Sequence, residues 1–487
     1  MMENKRQAVS VEKNMLLNTL RVFVSIVFPL IVYPYITRVL GVDNFGKVNY
    51  GLSIVEYFSL IAALGVATYA AREGGIYRSN KDKLSRFSSE VFSLNVISTV
   101  AAYVALTVFL LCCGKVKDVA VLIAIQSASI LLTTLSIEWL NVICEDYAYI
   151  TLRSFAAQLL SLLLVFLAVN SPRDYYLYAI ITVATNAVIM ACNWVHLRKY
   201  VKIRLTFSGL RQHLKPTFIL FSNALAINVY LNADTVMLGW ILGEFYVGIY
   251  AAAAKVYGAF KNIINAIVMV TITRLTEYYH AGKIEEFQDL MKKIGEWLLL
   301  LLVPITVGLV MMAKPVVFLI AGEKYLSGVP VLQILTFAIP FACFASYLFN
   351  CYHLPLKQEK LNLIATCVAA VENIALNLWF IPAYHATGAA ITTLLAEATV
   401  FVILLIGTRK QPDLIAFKSL AGTFFKCVVA ALPILLFANV FSRCFADTSV
   451  WYLLLTFVCS AISYVGLGVA LKNNAMTDLL KKITKKS

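Results

Sequence analysis

Apolar runs of about twenty residues, separated by short polar breaks, recur along the chain from Leu16 to Leu471. A helix rises about 1.5 Å per residue and the hydrocarbon core of a bilayer is about 30 Å thick, so each run has the length of one crossing. The pattern predicts an all-α polytopic membrane protein with about fourteen transmembrane helices, the first near 15–37 and the last near 450–471. The runs at 214–240 and 246–273 are the least apolar, because Asn, Asp and Lys interrupt them. The breaks near 71–86, 197–213 and 274–290 are too short to hold a soluble domain. Lys283 to Lys293 mixes charged and apolar residues at helical spacing and reads as a helix lying along the membrane surface.

The chain looks duplicated. The first helix exits through Leu40-Gly41-Val42-Asp43-Asn44-Phe45-Gly46, and the seventh through Leu242-Gly243-Glu244-Phe245-Tyr246-Val247-Gly248. Both read Leu-Gly, four residues, Gly, and they stand 202 residues apart at the same helix ordinal. Duplicated halves are common in transporters, with the substrate site between them. The spacing predicts a six-helix lobe over 1–210, a second over 211–410, and two extra helices with a basic tail over 411–487. The basic loop from Arg198 to Lys215 is the expected linker between lobes.

Composition sharpens this picture. The chain is 61% hydrophobic and 14% charged, well away from the balance of soluble domains. A net charge of +15 could suggest nucleic acid, but its distribution argues against that partner. With the N-terminus placed inside and the sides alternating, thirty of the 41 Lys and Arg fall on the cytoplasmic side and eight outside. The remaining three, Arg21, Lys255 and Lys261, fall well inside spans. That asymmetry is the positive-inside signal; it puts both termini in the cytoplasm, with anionic lipids as contacts of the basic loops. The first apolar run is too long for a cleavable signal. The ten cysteines form no C-x-x-C pair and read as small packing residues.

Polar residues inside the spans carry the candidate chemistry, since a charge at the bilayer centre costs about 2.5–3.5 kcal/mol or more and faces a partner or a wet cavity. Asn14, Asn18, Arg21 and Ser25 share one face of the first helix, and Asn49, Ser53 and Glu56 share one face of the second. Glu56 either pairs with Arg21 or lines a lumen. Asn223, Tyr230 and Asp234 share a face of the seventh helix; the eighth carries Lys255, Lys261 and Asn262. Asp234 either pairs with Lys255 or faces a lumen. Glu372, beside Asn373 and Asn377, and Glu397 lie mid-helix, either as proton or sodium sites or as protonated interhelical hydrogen-bond donors.

Other motifs fail. Gly41 to Lys47 reads G-x-x-x-x-G-K, but Val48 stands where the Mg²⁺-binding Ser or Thr of a phosphate loop belongs. No H-E-x-x-H or G-x-S-x-G occurs, and no histidine lies within five residues of an Asp. No assembled catalytic site and no cofactor are expected.

At Pro34-Tyr35-Ile36-Thr37-Arg38-Val39-Leu40-Gly41 with Gly46, then Tyr57-Phe58, Leu64-Gly65 and Ala70-Ala71-Arg72-Glu73, the chain resembles Wzx-type O-antigen flippases of the multidrug/oligosaccharidyl-lipid/polysaccharide exporter superfamily. The resemblance implies a pseudo-symmetric V-shaped pair of bundles around a central cavity. It also implies transfer of a polyprenyl-diphosphate-linked oligosaccharide from the cytoplasmic to the outer leaflet of the bacterial inner membrane, for O-antigen, capsule or exopolysaccharide. A polysaccharide polymerase and a chain-length regulator are implied partners, and H⁺ or Na⁺ the coupling ion. On this reading Arg21, Lys255 and Lys261 offset the diphosphate charge, Arg by bidentate contact and Lys as a point charge. Asn18, Asn223, Tyr230 and Asn262 suit sugar hydroxyls. Arg38 and Arg72 are expected in gating or release, and Glu56, Asp234, Glu372 and Glu397 in ion coupling. The alternatives are a peptidoglycan-precursor lipid flippase, a multidrug cation antiporter, and a membrane-embedded polysaccharide polymerase or acyltransferase.

Overall fold

The computed structural model describes residues 11–78, 80–198, 200–473 and 475–477; for 11–27, 29, 30, 223, 226, 227, 230, 231, 267, 270, 410 and 412 it describes the backbone alone. All regular secondary structure among these residues is helical. In hydrocarbon every backbone polar group must find its partner within the protein, and long unbroken apolar runs meet that demand as helices. The chain is an all-α, multi-pass membrane protein. Two compact units divide between Val229 and Tyr230.

The first unit holds α1 (Val11–Ala63), α2 (Val66–Gly74), α3 (Lys81–Cys112), α4 (Ala120–Ser136), α5 (Glu138–Ile143), α6 (Tyr147–Ala168), α7 (Tyr175–Leu197) and the start of α8 (Leu210–Leu242). The second holds the rest of α8, then α9 (Glu244–His280), α10 (Ile284–Met311), α11 (Ala313–Ala321), α12 (Val329–Tyr347), a π-helical turn Leu348–His353, α13 (Glu359–Gly407), α14 (Phe417–Cys444) and α15 (Val450–Ala470).

By length and hydropathy, ten described segments can cross a membrane, or eleven when the bent pair within α9 is one span. The first and second expected spans lie end to end in α1, parted at Gly41, and the eleventh and twelfth in α13, parted at His385, so each of these long segments covers two of the expected spans. The segment 284–293 is also not a separate surface helix. It forms the first turns of α10, with Phe287 and Met291 fully buried.

The repeated Leu-Gly motif has a backbone cause. Gly41 breaks α1 at φ 73, ψ 175, and Gly243 caps α9 at φ 94, ψ 178. Positive φ with ψ near 180° is essentially reserved for glycine. Nothing lies within 4 Å of a Cβ built at either position, so the need for glycine is conformational and not steric. Gly41→Ala and Gly243→Ala should therefore each destabilise the protein by about 1–3 kcal/mol. The measurement is thermal unfolding of the purified chain in detergent; unchanged midpoints would mean that the break relaxes without strain.

Two polar networks fasten the first unit. The non-helical segment before α8 is strapped along α3. Backbone N–H groups of Lys202, Arg204 and Thr206 donate to the hydroxyls of Ser85, Ser89 and Ser93 at 3.2, 3.1 and 2.9 Å. The Ser89 and Ser93 hydroxyls in turn donate to the carbonyls of Ser85 and Ser89 at 2.7 Å. Beside this ladder, buried Glu90 accepts from Arg86 Nε at 3.0 Å and from Gln212 Nε2 at 2.9 Å. His213 Nε2 faces Glu90 Oε2 at 3.0 Å, and Tyr69 OH meets His213 Nδ1 at 2.7 Å. The partners assign the ring proton to Nε2.

The second network repairs a broken helix. Ile137 at φ 50 separates α4 from α5. The Asn193 amide nitrogen of α7 donates to the freed Ser136 carbonyl at 3.0 Å and to its hydroxyl at 2.7 Å. Buried Arg153 of α6 holds the Asn193 amide oxygen and pairs with Glu138 at 3.1 Å.

Candidate functional site

A buried carboxylate organises one end of the second unit's polar interior. Asp234, on α8, is 3% exposed. Its Oδ1 accepts from Asn373 Nδ2 at 3.1 Å and Asn377 Nδ2 at 2.7 Å. Its Oδ2 accepts from Tyr250 OH at 2.7 Å and from the Thr393 hydroxyl. A second layer fixes these groups: Asn377 Nδ2 donates to Asn373 Oδ1 at 3.1 Å, and Thr392 donates to Asn377 Oδ1 at 2.6 Å.

The local sequence explains the convergence. Asn373 and Asn377 are one turn apart on α13, so they share a face. His385 breaks α13 at φ 56, ψ −135, and its ring stacks on Tyr246 with centroids 4.8 Å apart. Thr392 and Thr393 lie beyond that break. Both arms of α13 thus reach one carboxylate, and Tyr250 reaches it from α9.

All four donors to Asp234 are neutral, and among the described residues Asp234 forms no ion pair. The pairing of Asp234 with Lys255, one of the two sequence expectations, is not formed. An ionised carboxylate accepts only, with about four lone-pair sites, and here four donors fill them. Among the described residues no cation offsets this carboxyl group, which is surrounded by amide and hydroxyl oxygens as well as its own. Hard cations such as Na⁺ take such oxygen ligands, and a proton would take the carboxylate itself.

One helical turn beyond Thr393, Glu397 accepts from Tyr257 OH at 2.6 Å and pairs with Lys261 Nζ through the same oxygen, Oε1. Lys261 Nζ also donates to Tyr257 OH at 3.2 Å. Two residues assigned separate roles from sequence, Lys261 to substrate and Glu397 to the ion, are therefore partners. Tyr250, Tyr257 and Lys261 line one face of α9, and Thr393 and Glu397 one face of α13, so the ion pair continues the line begun at Asp234.

The other expected residues are not gathered here. Lys255 and Asn262 are exposed positions of α9. Glu372 is half-buried and forms no hydrogen bond or ion pair among the described residues, because it points about 100° around α13 from Asn373. Glu56 is half-buried on α1. Arg38 is exposed and donates to the Pro34 carbonyl at 2.7 Å, while Arg72 pairs with its neighbour Glu73 at 3.0 Å. Asn18, Arg21, Asn223 and Tyr230 have side chains outside the described residues.

Sequence reasoning missed Tyr250, Tyr257, Thr392 and Thr393. It noted Asn373 and Asn377 only as neighbours of Glu372; their spacing of four was the available signal. It also missed an Asp–His contact in the first unit. Asp146, in the loop between α5 and α6, meets His196 Nε2 at 2.7 Å and accepts from Tyr200 OH at 2.8 Å. Burial pushes the Asp146 carboxyl up, but the His196 and Tyr200 hydrogen bonds outweigh it and hold the group below its ordinary range.

With this geometry established, comparison with known proteins is informative. The family model described as "Polysaccharide biosynthesis protein" matches residues 11–279. The chain is 24% identical over 391 residues to the "Putative O-antigen transporter" of Escherichia coli strain K12, covering 80% of this chain and 94% of that protein. It is 23% identical over 381 residues to "Capsular polysaccharide biosynthesis protein CapF" of Staphylococcus aureus, covering 73% and 88%. Among solved structures, it resembles the lipid II flippase MurJ in an inward closed conformation, with a TM-score of 0.77 at 18% identity over 96% of this chain and all of that one. It resembles an inward-facing multidrug resistance MATE family transporter with a TM-score of 0.62 at 15% identity, over 81% and 98%. At these identities the structural likenesses speak to fold: an all-helical transporter fold.

Proposed function

The chain belongs to the polysaccharide biosynthesis protein family, and from that premise we propose that it is a flippase that carries a polyprenyl-diphosphate-linked oligosaccharide across the bacterial cytoplasmic membrane, from the inner to the outer leaflet, driven by a cation gradient. A diphosphate head group cannot cross hydrocarbon without a polar path. Lys261, with Arg21 and Lys255, supplies positive charge for that path, and Asn18, Asn223, Tyr230 and Asn262 supply partners for sugar hydroxyls.

The observation that carries the coupling is Asp234, a carboxylate buried inside the protein and held by four neutral donors. An uncompensated buried charge is costly, and a transported cation relieves it. Cation entry at Asp234 would favour one conformation and its release the other, so the gradient resets the carrier after each lipid is delivered. Glu56 and Glu372 are secondary candidates for the same step, and Arg38 and Arg72 for gating.

The test is purified protein in liposomes with a fluorescent polyprenyl-diphosphate oligosaccharide, following quencher access to each leaflet. Transbilayer movement should accelerate under an imposed Na⁺ or H⁺ gradient, and the effective gradient names the ion. Stationary lipid across a panel of glycans and gradients, together with efflux of organic cations, would overturn the proposal in favour of a drug antiporter.

A further inference from the structure

The Lys261–Glu397 pair has an asymmetry that a purely structural ion pair does not need. The Lys261 side chain is 20% exposed and the Glu397 side chain 6%. The ammonium is therefore the more accessible of the two charges. Glu397 also holds its two donors with one oxygen, Oε1, and one of those donors is Tyr257 rather than Lys261. If Lys261 swings away, Glu397 keeps the Tyr257 hydroxyl at 2.6 Å and is not stripped of hydrogen bonds. Lys261 is a single point charge on a flexible stem, suited to exchanging one anion for another.

We propose that Glu397 is an internal stand-in for the substrate's phosphate: it neutralises Lys261 in the empty carrier, is displaced when the diphosphate arrives, and expels the diphosphate when it returns. This rests on the flippase reading above and adds to it a positioning residue that governs release. A carrier that held its diphosphate by a bare, permanently free ammonium would bind without a means of letting go. Here both anions draw on the single charge of the same Nζ, so each weakens the hold of the other. The position of Glu397, one turn from Thr393 and hence from Asp234, places the exchange next to the cation step.

The test uses the full-length protein in nanodiscs and a dansyl-labelled geranylgeranyl diphosphate, with the matching dansyl-labelled alcohol as the phosphate-free control. Glu397→Gln should bind the diphosphate about tenfold more tightly than the parent, mainly through slower dissociation, as removal of one competing ion-pair partner implies. The alcohol should bind both alike. Lys261→Met should weaken diphosphate binding, and adding Glu397→Gln to it should change nothing further. If Glu397→Gln does not fold, Glu397→Asp, which withdraws the carboxylate by one methylene, should show the same tightening. Equal or weaker diphosphate binding by a folded Glu397 variant, with a lowered melting temperature, would overturn the inference and leave a structural salt bridge. Failure of the parent protein to bind the diphosphate better than the alcohol would instead bring down the flippase reading, and this inference with it.

Discussion

Asp234→Asn should leave the protein folded and reduce gradient-driven movement of the lipid-linked substrate to background. The carboxamide has the shape of the carboxylate, and the Tyr250 and Thr393 hydroxyls can turn to accept from its new N–H groups. What disappears is the negative charge, and with it the reason for a cation to enter. Asp234→Leu should behave differently. It takes the shared acceptor from four buried donors; Asn377 keeps Asn373 Oδ1, Thr393 keeps the Ala389 carbonyl and Tyr250 keeps the Thr393 oxygen, so Asn373 loses most and the cost should be about 1–3 kcal/mol. That is a large share of a domain's stability. Thermal unfolding in detergent and the liposome leaflet assay together separate the two variants. Undiminished, gradient-responsive transport by a folded Asp234→Asn would remove Asp234 from the coupling step.

The second large effect is expected in the first unit. Arg153→Ala removes the cation that pairs with Glu138 and fixes the Asn193 amide, the group that closes the break at Ile137. Breaking a buried pair by removing one partner costs about 3–5 kcal/mol. The lower end applies here, because the Glu138 side chain is 39% exposed and water can take over part of its solvation. Arg153→Lys should recover only part of the loss, since an ammonium lacks the planar fork that serves Glu138 and Asn193 together. The measurement is the unfolding midpoint of each variant. A midpoint unmoved by Arg153→Ala would show that Asn193 holds the helix break unaided.

These residues also show how far the sequence could be read. The membrane helices were legible because the lipid requirement acts locally: twenty apolar residues announce a crossing whatever their neighbours. The motif at Gly41 and Gly243 was legible because a rare backbone conformation demands one residue type. The break at Gly41 was legible with it, whereas the one at His385 was not, because no glycine or similar residue marks that position. The site was harder still. Asp234 draws its donors from α9 and from both arms of α13, 16 to 159 residues away. Lys261 and Glu397 are 136 residues apart. No local pattern reports such meetings. Charge drew attention to Glu372, while helical phase gave the contacts to Asn373 and Asn377, which follow it on an adjoining face. The role of Arg153 was hidden for the same reason: its partners Glu138 and Asn193 lie on other helices.

The serine ladder that straps residues 202–206 to α3 is a vernier. One scale is the helix, which advances about 6.0 Å in four residues. The other is the strap, whose donors recur every second residue, about 6.6 Å in extended chain. The scales slip by roughly 0.6 Å per rung, so about three rungs can stay within hydrogen-bond tolerance before the graduations fall out of line. The chain stops there: the positions that would extend the ladder on α3 are Lys81 and Ile97, which carry no hydroxyl. The strap is thus a measured length of chain with its own end marks. Adding or removing one residue between Lys202 and Thr206 would not tighten or slacken it but turn the later N–H groups away, as a vernier shifted by half a division matches nowhere.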